Sequence, residues 1–370
     1  MLLKVLGLIL AGGHSESLGS LVSKRASAAL PVFGKYRAID FTLSNMVNAG
    51  IRKVGVLTQY NPRSLMDHLG SGKEWDLDRK NGGLFILQPY VSAEGSYWYK
   101  GTADAIFQNI TILRRGEEDY VLIGSGDHIY KIDFTQVFNF HFSTGADITL
   151  LVKYLDETYD LTKYGIVQME DHKIVSIEEK PQSPRGNLAF LGVYFMNKYL
   201  LMELLYNYVT KGENDLLNIV ISQLGKLKVH GYVFNGYWRN VKKGIGEYFR
   251  INMDTLRKEI REELFYKHGK VYTKLKDLPP PKISSSAVVK NSIISDGCIV
   301  NGYVENSVLF RGVMVRAGAV VENAVVMQDT VIEEGAVVKN AILDKEVLIR
   351  QQGKLVGKEK LAVMEKRAVL

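Results

Sequence analysis

Hydrophobic and polar positions in the first part of the chain alternate between strand-like and helix-like segments. Val5–Leu10 is a continuous apolar run, typical of a central parallel strand covered on both faces. Lys53–Thr58 and Tyr120–Gly124 predict further strands, and the apolar spacing predicts helices over Ile39–Ala49 and Ala103–Arg115. This alternation predicts a doubly wound, Rossmann-like α/β domain, in which ligands bind beyond the carboxyl ends of the strands.

Two of these predicted strand ends carry residues suited to phosphate chemistry. Gly12 and Gly13 follow the first strand, and glycines at such a turn let backbone N–H groups approach an anion. Asp127 follows the third strand, where a carboxylate can hold Mg²⁺. A plain tight turn and a helix N-cap are the structural alternatives for these residues.

A different pattern begins after the stiff segment Leu278–Pro281. From residue 286 to about 349, β-branched residues recur every five to six positions, as Val325, Val331 and Val337 do. This hexapeptide period predicts a left-handed parallel β-helix in preference to ordinary hairpins. Before it, Tyr248–Tyr266 has the spacing of one long amphipathic helix. The predicted division is an α/β domain over 1–243, a helix and linker over 244–283 and a β-helix over 284–370.

Composition narrows the class of protein. The 370 residues are 46% hydrophobic and 24% charged, which indicates a globular chain with a sizeable core. The net charge of +7 permits an anionic partner, but no run of five like charges occurs, so we expect no nucleic-acid partner. The single cysteine, Cys298, cannot form an internal disulfide, which favours a cytoplasmic location. No apolar run reaches the roughly 20 residues that span a bilayer, so we expect no membrane partner.

Eight short strings, in order, give the chain a specific resemblance. With the hexapeptides, they resemble ADP-glucose pyrophosphorylase (glucose-1-phosphate adenylyltransferase). The strings are Leu10–Gly13, Gly34–Phe41, Leu43–Asn45, Leu57–Tyr60, Trp98–Ala105, Gly126–Lys131, Glu179–Pro181 and Tyr237–Arg239. The resemblance implies a cytoplasmic tetramer that makes ADP-glucose and pyrophosphate from ATP and glucose 1-phosphate in glycogen biosynthesis.

The resemblance also implies roles for individual residues. Asp127 would be catalytic and would hold Mg²⁺. The nucleotide would lie against Leu10, Ala11, Gly12, Gly13, Gln88, Gly101, Thr102 and Asp104. The sugar phosphate would lie against Lys180, Gly165 and Gly192. Turn, cap and surface-loop chemistry is the structural alternative for these residues.

Several family residues are replaced in this chain. Where the family has a phosphate-facing arginine, a lysine and a second metal carboxylate, this chain has Ser17, Ser27 and Asn240. A serine cannot make the bidentate phosphate contact of arginine, and an amide carries no charge for Mg²⁺. Losing one preorganised electrostatic group commonly costs about 10²–10³ in turnover. We therefore expect weakened Mg²⁺ binding and a regulatory or weakly catalytic subunit.

Basic residues that bind anionic allosteric effectors in the family are retained. They are Lys24, Arg25, Lys35 and Arg37. Their retention beside lost catalytic groups fits a regulatory subunit that pairs with a homologous catalytic subunit in a heterotetramer. The alternative is that they are ordinary surface or fold residues.

Three other functions remain open from the sequence. In a fully active enzyme, Lys100 or Lys131 would replace the lost cations. A hexapeptide acyltransferase would need a histidine in or beside the β-helix, and the last histidine, His268, precedes it. A scaffold or carbohydrate-sensing module would bind ligands without turnover.

Overall fold

The computed structural model describes residues 3–13, 15–92, 95–96 and 98–370. Its first part alternates strands and helices, as predicted. The strands are β1 Val5–Leu10, β2 Pro31–Val32, β3 Tyr36–Arg37, β4 Lys53–Leu57, β5 Gly83–Leu87, β6 Val91–Ser92, β7 Gly95–Ser96, β8 Tyr120–Ser125, β9 His128–Tyr130, β10 Ile148–Tyr154, β11 Gly165–Glu170, β12 Lys173–Glu179, β13 Leu188–Asn197, β14 Val229–Val233 and β15 Trp238–Asn240. The helices are α1 Ala38–Asn48, α2 Arg63–Leu69, α3 Thr102–Gln108, α4 Thr111–Arg114, α5 Phe134–Thr144, α6 Lys198–Tyr208, α7 Leu216–Ile221, α8 Ile245–Asp254 and α9 Lys258–Tyr266.

Nine strands form the central sheet, in the order β10-β14-β12-β11-β13-β8-β1-β4-β5. Strand β1 lies inside it, parallel to both β4 and β8. Successive residues of β1 enter different hydrophobic clusters: Leu6 and Leu8 belong to one, and Val5 and Ile9 to the other. The continuous apolar run is thus explained by burial on both faces, which confirms the predicted α/β class.

The other half of the sheet is antiparallel. Strand β13 runs antiparallel to β8 and to β10, and β11 and β12 form a hairpin. A separate ribbon pairs β9 with β15, and its register sets His128 opposite Asn240. This ribbon brings the chain after Asp127 against the segment that contains Asn240.

Two predicted helices are each divided in the structure. The helix predicted over Ala103–Arg115 is α3 followed by α4. At the break, the Asn109 amide donates to the Tyr99 hydroxyl and to the Ala105 carbonyl, both at 2.9 Å. Side-chain hydrogen bonds of this kind compete with the backbone ladder of a helix.

The single helix predicted over Tyr248–Tyr266 is also wrong, because α8 ends at Asp254 and α9 begins at Lys258. Arg261 Nη1 donates to the carbonyl oxygens of Thr255 and Leu256, both at 2.7 Å. These bonds satisfy carbonyl groups at the break that an unbroken helix would bond internally.

The last part of the chain is a parallel β-helix, which confirms the prediction from the hexapeptide period. Residue Val320 pairs in register with Val337, and Val331 pairs with Leu348. Val304, Val321 and Val338 are fully buried in its interior. Its strands are β16 Lys282–Ile283, β17 Val288–Lys290, β18 Ile293–Ile294, β19 Ile299–Val300, β20 Tyr303–Glu305, β21 Val308–Leu309, β22 Met314–Val315, β23 Val320–Val326, β24 Val331–Ile332, β25 Val337–Leu343, β26 Leu348–Ile349, β27 Lys354–Val356 and β28 Ala362–Met364.

The β-helix packs directly on the α/β domain. Leu18 and Tyr248 share a buried hydrophobic cluster with Phe310 and Ile342 of the β-helix. Apolar burial of this kind fixes the two parts of the chain against each other.

Candidate active site

A cavity of about 410 Å³ opens at the carboxyl ends of β1, β4 and β8. The sequence predicted a ligand site at this edge of the sheet. Five predicted nucleotide-binding residues line it: Leu10, Gly12, Gly13, Gly101 and Thr102. Asp127 lines it as well.

Three other predicted nucleotide-binding residues do not line this cavity. Ala11 is buried, and its N–H donates to the Leu57 carbonyl at 2.8 Å. Gln88 is exposed, and Asp104 accepts the backbone N–H of Lys100 at 2.7 Å at the start of α3. Ala11 and Asp104 therefore have structural partners that explain their positions.

A second cavity, of about 230 Å³, adjoins the first and contains the predicted sugar-phosphate residues Gly165, Lys180 and Gly192. Five residues line both cavities: Thr102, His128, Gly192, Tyr194 and Asp215. Two ligands in these cavities would therefore lie next to each other.

Three lysines surround the second cavity: Lys163, Lys180 and Lys243. The Lys180 ammonium lies 2.9 Å from Glu179 Oε1, and Lys243 stands over the Tyr164 ring at 4.3 Å. Burial, with the nearby charge of Lys180, lowers the pKa of Lys243 to about 8. An anion would relieve this crowding of positive charge, so the cavity suits a phosphate group.

Asp127 faces a lysine, Lys242, that sequence reasoning missed. The carboxylate is 2% exposed, and the Lys242 ammonium lies 3.7 Å from its Oδ2. Burial raises the pKa of Asp127, and the Lys242 charge opposes that rise. The signal in the sequence was the Lys242-Lys243 pair, which begins two positions after Asn240 and which no motif singled out.

The two serines that replace family cations hold backbone groups in this structure. Ser17 Oγ donates to the Lys242 carbonyl at 2.9 Å, and Ser15 Oγ donates to the same oxygen at 2.9 Å. Ser27 is buried, with its Oγ 3.4 Å from the Gly13 carbonyl oxygen. Both substitutions therefore replace long cationic side chains with short groups, of which Ser17 holds the Lys242 carbonyl and Ser27 contacts the glycine turn.

Asn240 uses both ends of its amide. Its Nδ2 lies 3.1 Å from His128 Nε2, and its Oδ1 accepts the backbone N–H of Lys242 at 2.9 Å. Burial, with the charges of Lys243 and Lys242, lowers the pKa of His128 to about 3. The imidazole is therefore neutral near pH 7, and its Nε2 accepts from the amide.

The residues around Asp127 do not by themselves form a Mg²⁺ site. Mg²⁺ requires hard oxygen ligands in near-octahedral geometry. Across the described part of the chain, no group of three or more His, Cys, Asp or Glu side chains is arranged to hold a metal ion. Asp127 already faces an ammonium, and the Asn240 oxygen is occupied by a backbone N–H.

The two lysines named as substitute cations lie in different places. Lys100 lines the first cavity, as that hypothesis requires. Lys131 does not: it is 1% exposed, and its ammonium donates to the Lys270 carbonyl at 3.2 Å. The structure thus corrects the expectation for Lys131, since a side chain committed to that carbonyl does not reach the cavity.

The predicted effector residues differ in how far their side chains are committed to other contacts. Lys24 is exposed and Lys35 is half-buried. Arg37 Nη1 donates to the Ala29 carbonyl at 2.7 Å, and Arg25 forms a buried bidentate pair with Asp344, both oxygens at 2.8 Å. Arg25 is therefore committed to holding the β-helix.

Lys345, which the sequence did not single out, joins this group from the β-helix side. Burial, followed by the charges of Arg37 and Arg25, lowers the pKa of Lys345 to about 6. The same surroundings hold Arg37, whose pKa burial lowers to about 10. The site thus concentrates positive charge at the junction of the two parts of the chain.

Comparison with known proteins agrees with this architecture. Residues 6–257 match the family model described as nucleotidyl transferase, and residues 279–366 match the GlmU-like C-terminal hexapeptide model. A glucose-1-phosphate adenylyltransferase of Pseudothermotoga lettingae is 42% identical over 325 residues, covering 86% of this chain and 76% of the relative. The proteins of that name from Clostridium beijerinckii and Bacillus mycoides are 42% and 41% identical, each over 86% of this chain and over 83% and 85% of the relative.

The helices bear on the expectation that the chain has no membrane partner. Among the residues that the structure describes, no helix is both long and apolar enough to cross a membrane.

Proposed function

The chain belongs to the glucose-1-phosphate adenylyltransferase family of nucleotidyl transferases, and we propose that it is a regulatory or weakly catalytic subunit in ADP-glucose synthesis for glycogen. The observation that carries this proposal is the arrangement at Asp127, which faces Lys242 beside an amide at position 240. A catalytic site for adenylyl transfer needs groups that neutralise the charge developing on the phosphates.

The two adjoining cavities support retained ligand binding. The first presents the Gly12-Gly13 turn, and the second presents Lys180 and Lys243. We propose that ATP occupies the first and glucose 1-phosphate the second, with Gly101 and Thr102 at the nucleotide. Binding without rapid turnover is the expected behaviour of a site that keeps its shape and loses its transition-state charges.

Loss of turnover follows from the charges that face the first cavity. Ser17 and Ser27 bind the Lys242 and Gly13 carbonyls and offer no positive charge to a leaving pyrophosphate. Removing one such stabiliser costs about 10²–10³ in turnover. Several losses in one site act as a unit, so the total need not be their product.

The proposed partner is a homologous catalytic subunit in a cytoplasmic heterotetramer. The test is pyrophosphate release from ATP and glucose 1-phosphate, with this chain alone, the Clostridium beijerinckii relative alone and the two mixed. We expect little turnover from the chain alone and altered kinetics of the relative on mixing. An Asp127→Asn variant is the matched control: it should alter the relative's kinetics as the unchanged chain does. Rapid turnover by the chain alone would contradict the proposal.

A fully active enzyme that uses substitute cations is the alternative, and Lys100 and Lys242 favour it because both line the first cavity. In that case the chain alone turns over, and Lys242→Met lowers the rate by about 10² or more. If the chain alone is slow and Lys242→Met leaves it slow, this alternative fails.

We also propose an anionic allosteric effector at the group formed by Lys24, Lys35, Arg37 and Lys345. The lowered pKa of Lys345 supports it, because a bound anion would favour the charged ammonium. Inorganic phosphate is the probe, and we expect it to raise the thermal midpoint of the chain at pH 7. Lys345→Met should abolish the increase, while Lys354→Met, on the β-helix away from this group, should keep it. Equal increases in both variants would contradict this site.

A further inference from the structure

The Lys242 ammonium lies between the two strand-end features of the first cavity. It is 3.7 Å from Asp127 Oδ2 on one side, and on the other a Cβ added at Gly13 would overlap its Nζ. The ammonium therefore stands where the carboxylate and the glycine turn meet. A divalent ion bridging Asp127 and a phosphate at that turn would need the same place.

The surrounding substitutions hold this lysine in position. The hydroxyls of Ser15 and Ser17 donate to its carbonyl, and the Asn240 oxygen accepts its N–H. The preceding residue is fixed as well, because the Val241 N–H donates to the Asp127 carbonyl at 3.0 Å. The backbone of Lys242 is thus held from both sides, which directs a four-carbon side chain toward Asp127.

The burial of the pair fits a permanent ion pair. The side chain of Lys242 is 27% exposed and that of Asp127 is 3% exposed. Asp127 Oδ1 has no hydrogen-bond partner within the part of the chain that the structure describes. A buried carboxylate that stays ionised needs a nearby cation, and Lys242 supplies it.

We infer that the Lys242 ammonium is the resident cation of Asp127 and excludes a divalent metal from this cavity, which then takes a nucleoside polyphosphate without metal at Asp127. An ion bound to Asp127 would lie within a few ångströms of the ammonium, and like charges at that separation repel each other. Only the ligand class, a nucleoside polyphosphate, rests on the proposed function.

The first experiment uses Mn²⁺ alone, followed by electron paramagnetic resonance of the free ion. We expect the unchanged chain to show no Mn²⁺ site that depends on Asp127. Lys242→Met should tighten Mn²⁺ binding by about tenfold or more, because it removes the competing charge. Adding Asp127→Asn to that variant should abolish the new site.

Two matched variants guard against indirect effects. Lys242→Arg keeps the charge and should bind Mn²⁺ as weakly as the unchanged chain. Lys243→Met removes the adjacent lysine, which faces the second cavity, and should also leave Mn²⁺ binding weak. Lys242→Gln replaces Lys242→Met if the latter unfolds. An Asp127-dependent Mn²⁺ site in the unchanged chain, or no gain in a folded Lys242→Met or Lys242→Gln variant, would overturn the inference.

The second experiment measures ATP affinity by calorimetry with Mg²⁺ and with a chelator in its place. We expect the two affinities to agree within about twofold, since no metal bridges Asp127 to the phosphates. If ATP bound about tenfold tighter with Mg²⁺, the inference that it binds without metal at Asp127 would be wrong. If ATP bound in neither buffer, the inference that the ligand is a nucleoside polyphosphate would be wrong. Neither experiment depends on turnover or on a partner subunit, so their failure is distinguishable from failure of the proposed regulatory role.

Discussion

At position 240 an amide donates to a ring nitrogen, whereas a carboxylate could only accept from it. His128 is buried, and its Nε2 accepts from the Asn240 amide. An ionised carboxylate only accepts hydrogen bonds, so an aspartate there would require a protonated Nε2. The exchange of one oxygen for an NH₂ group therefore sets the tautomer of His128 as well as the charge near Asp127.

Asn240→Asp should raise the pKa of His128 from about 3 by about 1–3 pH units, because a carboxylate beside the ring favours the imidazolium. An NMR titration of the ring carbons measures this directly. Asn240→Ala is the control, and it should leave the pKa low because the burial remains. An unchanged titration in Asn240→Asp would show that the amide contact does not govern the ring.

Acid should destabilise the protein through the same ring. The folded pKa of His128 is about 3 and its ordinary value is 6.5, so between these values the unfolded chain binds the extra proton. Stability therefore rises with pH across this window and is lost on acidification. Between about pH 4.5 and 6, His128→Gln should reduce the slope of unfolding free energy by about 1 kcal/mol per pH unit. Urea unfolding across pH tests this, and an equal slope in both proteins would contradict it.

At the scale of the element, the β-helix turns one of its corners with a ladder of asparagines. Asn291, Asn306, Asn323 and Asn340 all have left-handed backbone angles, with φ between 39° and 49°. Asn291 donates to Asn306, Asn323 donates to Asn340, and Asn340 donates to the Gly357 carbonyl at 3.2 Å. Asparagine tolerates this conformation better than other side chains, and the ladder satisfies its amide.

Asn340→Ala should lower the free energy of unfolding by about 1–3 kcal/mol, from left-handed strain and lost hydrogen bonds. Asn340→Gly removes the hydrogen bonds without the strain, so it should cost about 1 kcal/mol less than alanine. Asn301→Ala, at a position without left-handed φ, should cost under about 0.5 kcal/mol. Urea unfolding measures all three, and equal losses for alanine and glycine at 340 would exclude the strain argument.

At the scale of the whole molecule, one buried ion pair joins the two parts of the chain. Arg25 is 4% exposed and Asp344 is 1% exposed, beside the apolar cluster that contains Phe310 and Ile342. The pair offers two hydrogen bonds of 2.8 Å, which makes its geometry specific. It therefore fixes the orientation of the β-helix beside the group proposed to bind the effector.

Arg25→Met should destabilise the protein by about 3–5 kcal/mol, because it leaves the Asp344 carboxylate buried without its guanidinium partner. Replacing both partners, with Arg25→Met and Asp344→Leu, should recover most of that loss. Lys4→Met, which breaks the exposed pair with Glu117, should cost about 0–1 kcal/mol. Urea unfolding compares these variants. If Arg25→Met lowered the free energy of unfolding by only about 0–1 kcal/mol, as expected for an exposed pair, the result would contradict the role of the buried pair.

Periodicity by itself determined the α/β class of the first part of the chain and the β-helix of the last part. The apolar run at Val5–Leu10 predicted a strand covered on both faces, and the hexapeptide period predicted the β-helix. Both signals arise from burial repeated along the chain, which a single sequence records directly. The break between α8 and α9 escaped prediction because Arg261 stabilises it through hydrogen bonds that leave no periodic signal.

For the chemistry of the site too, the sequence determined one part and the tertiary structure decided the other. The sequence showed that Ser17, Ser27 and Asn240 lack the charges of the family, because a residue type is legible without coordinates. Only the tertiary structure brought Lys242 to Asp127, 115 positions earlier in the chain, since pairing of β9 with β15 sets that contact. The same holds for Arg25 and Asp344, which lie 319 positions apart in the chain. Residue identity limits which charges exist, and the fold decides which of them meet, because Coulomb interactions depend on distance in space and on burial.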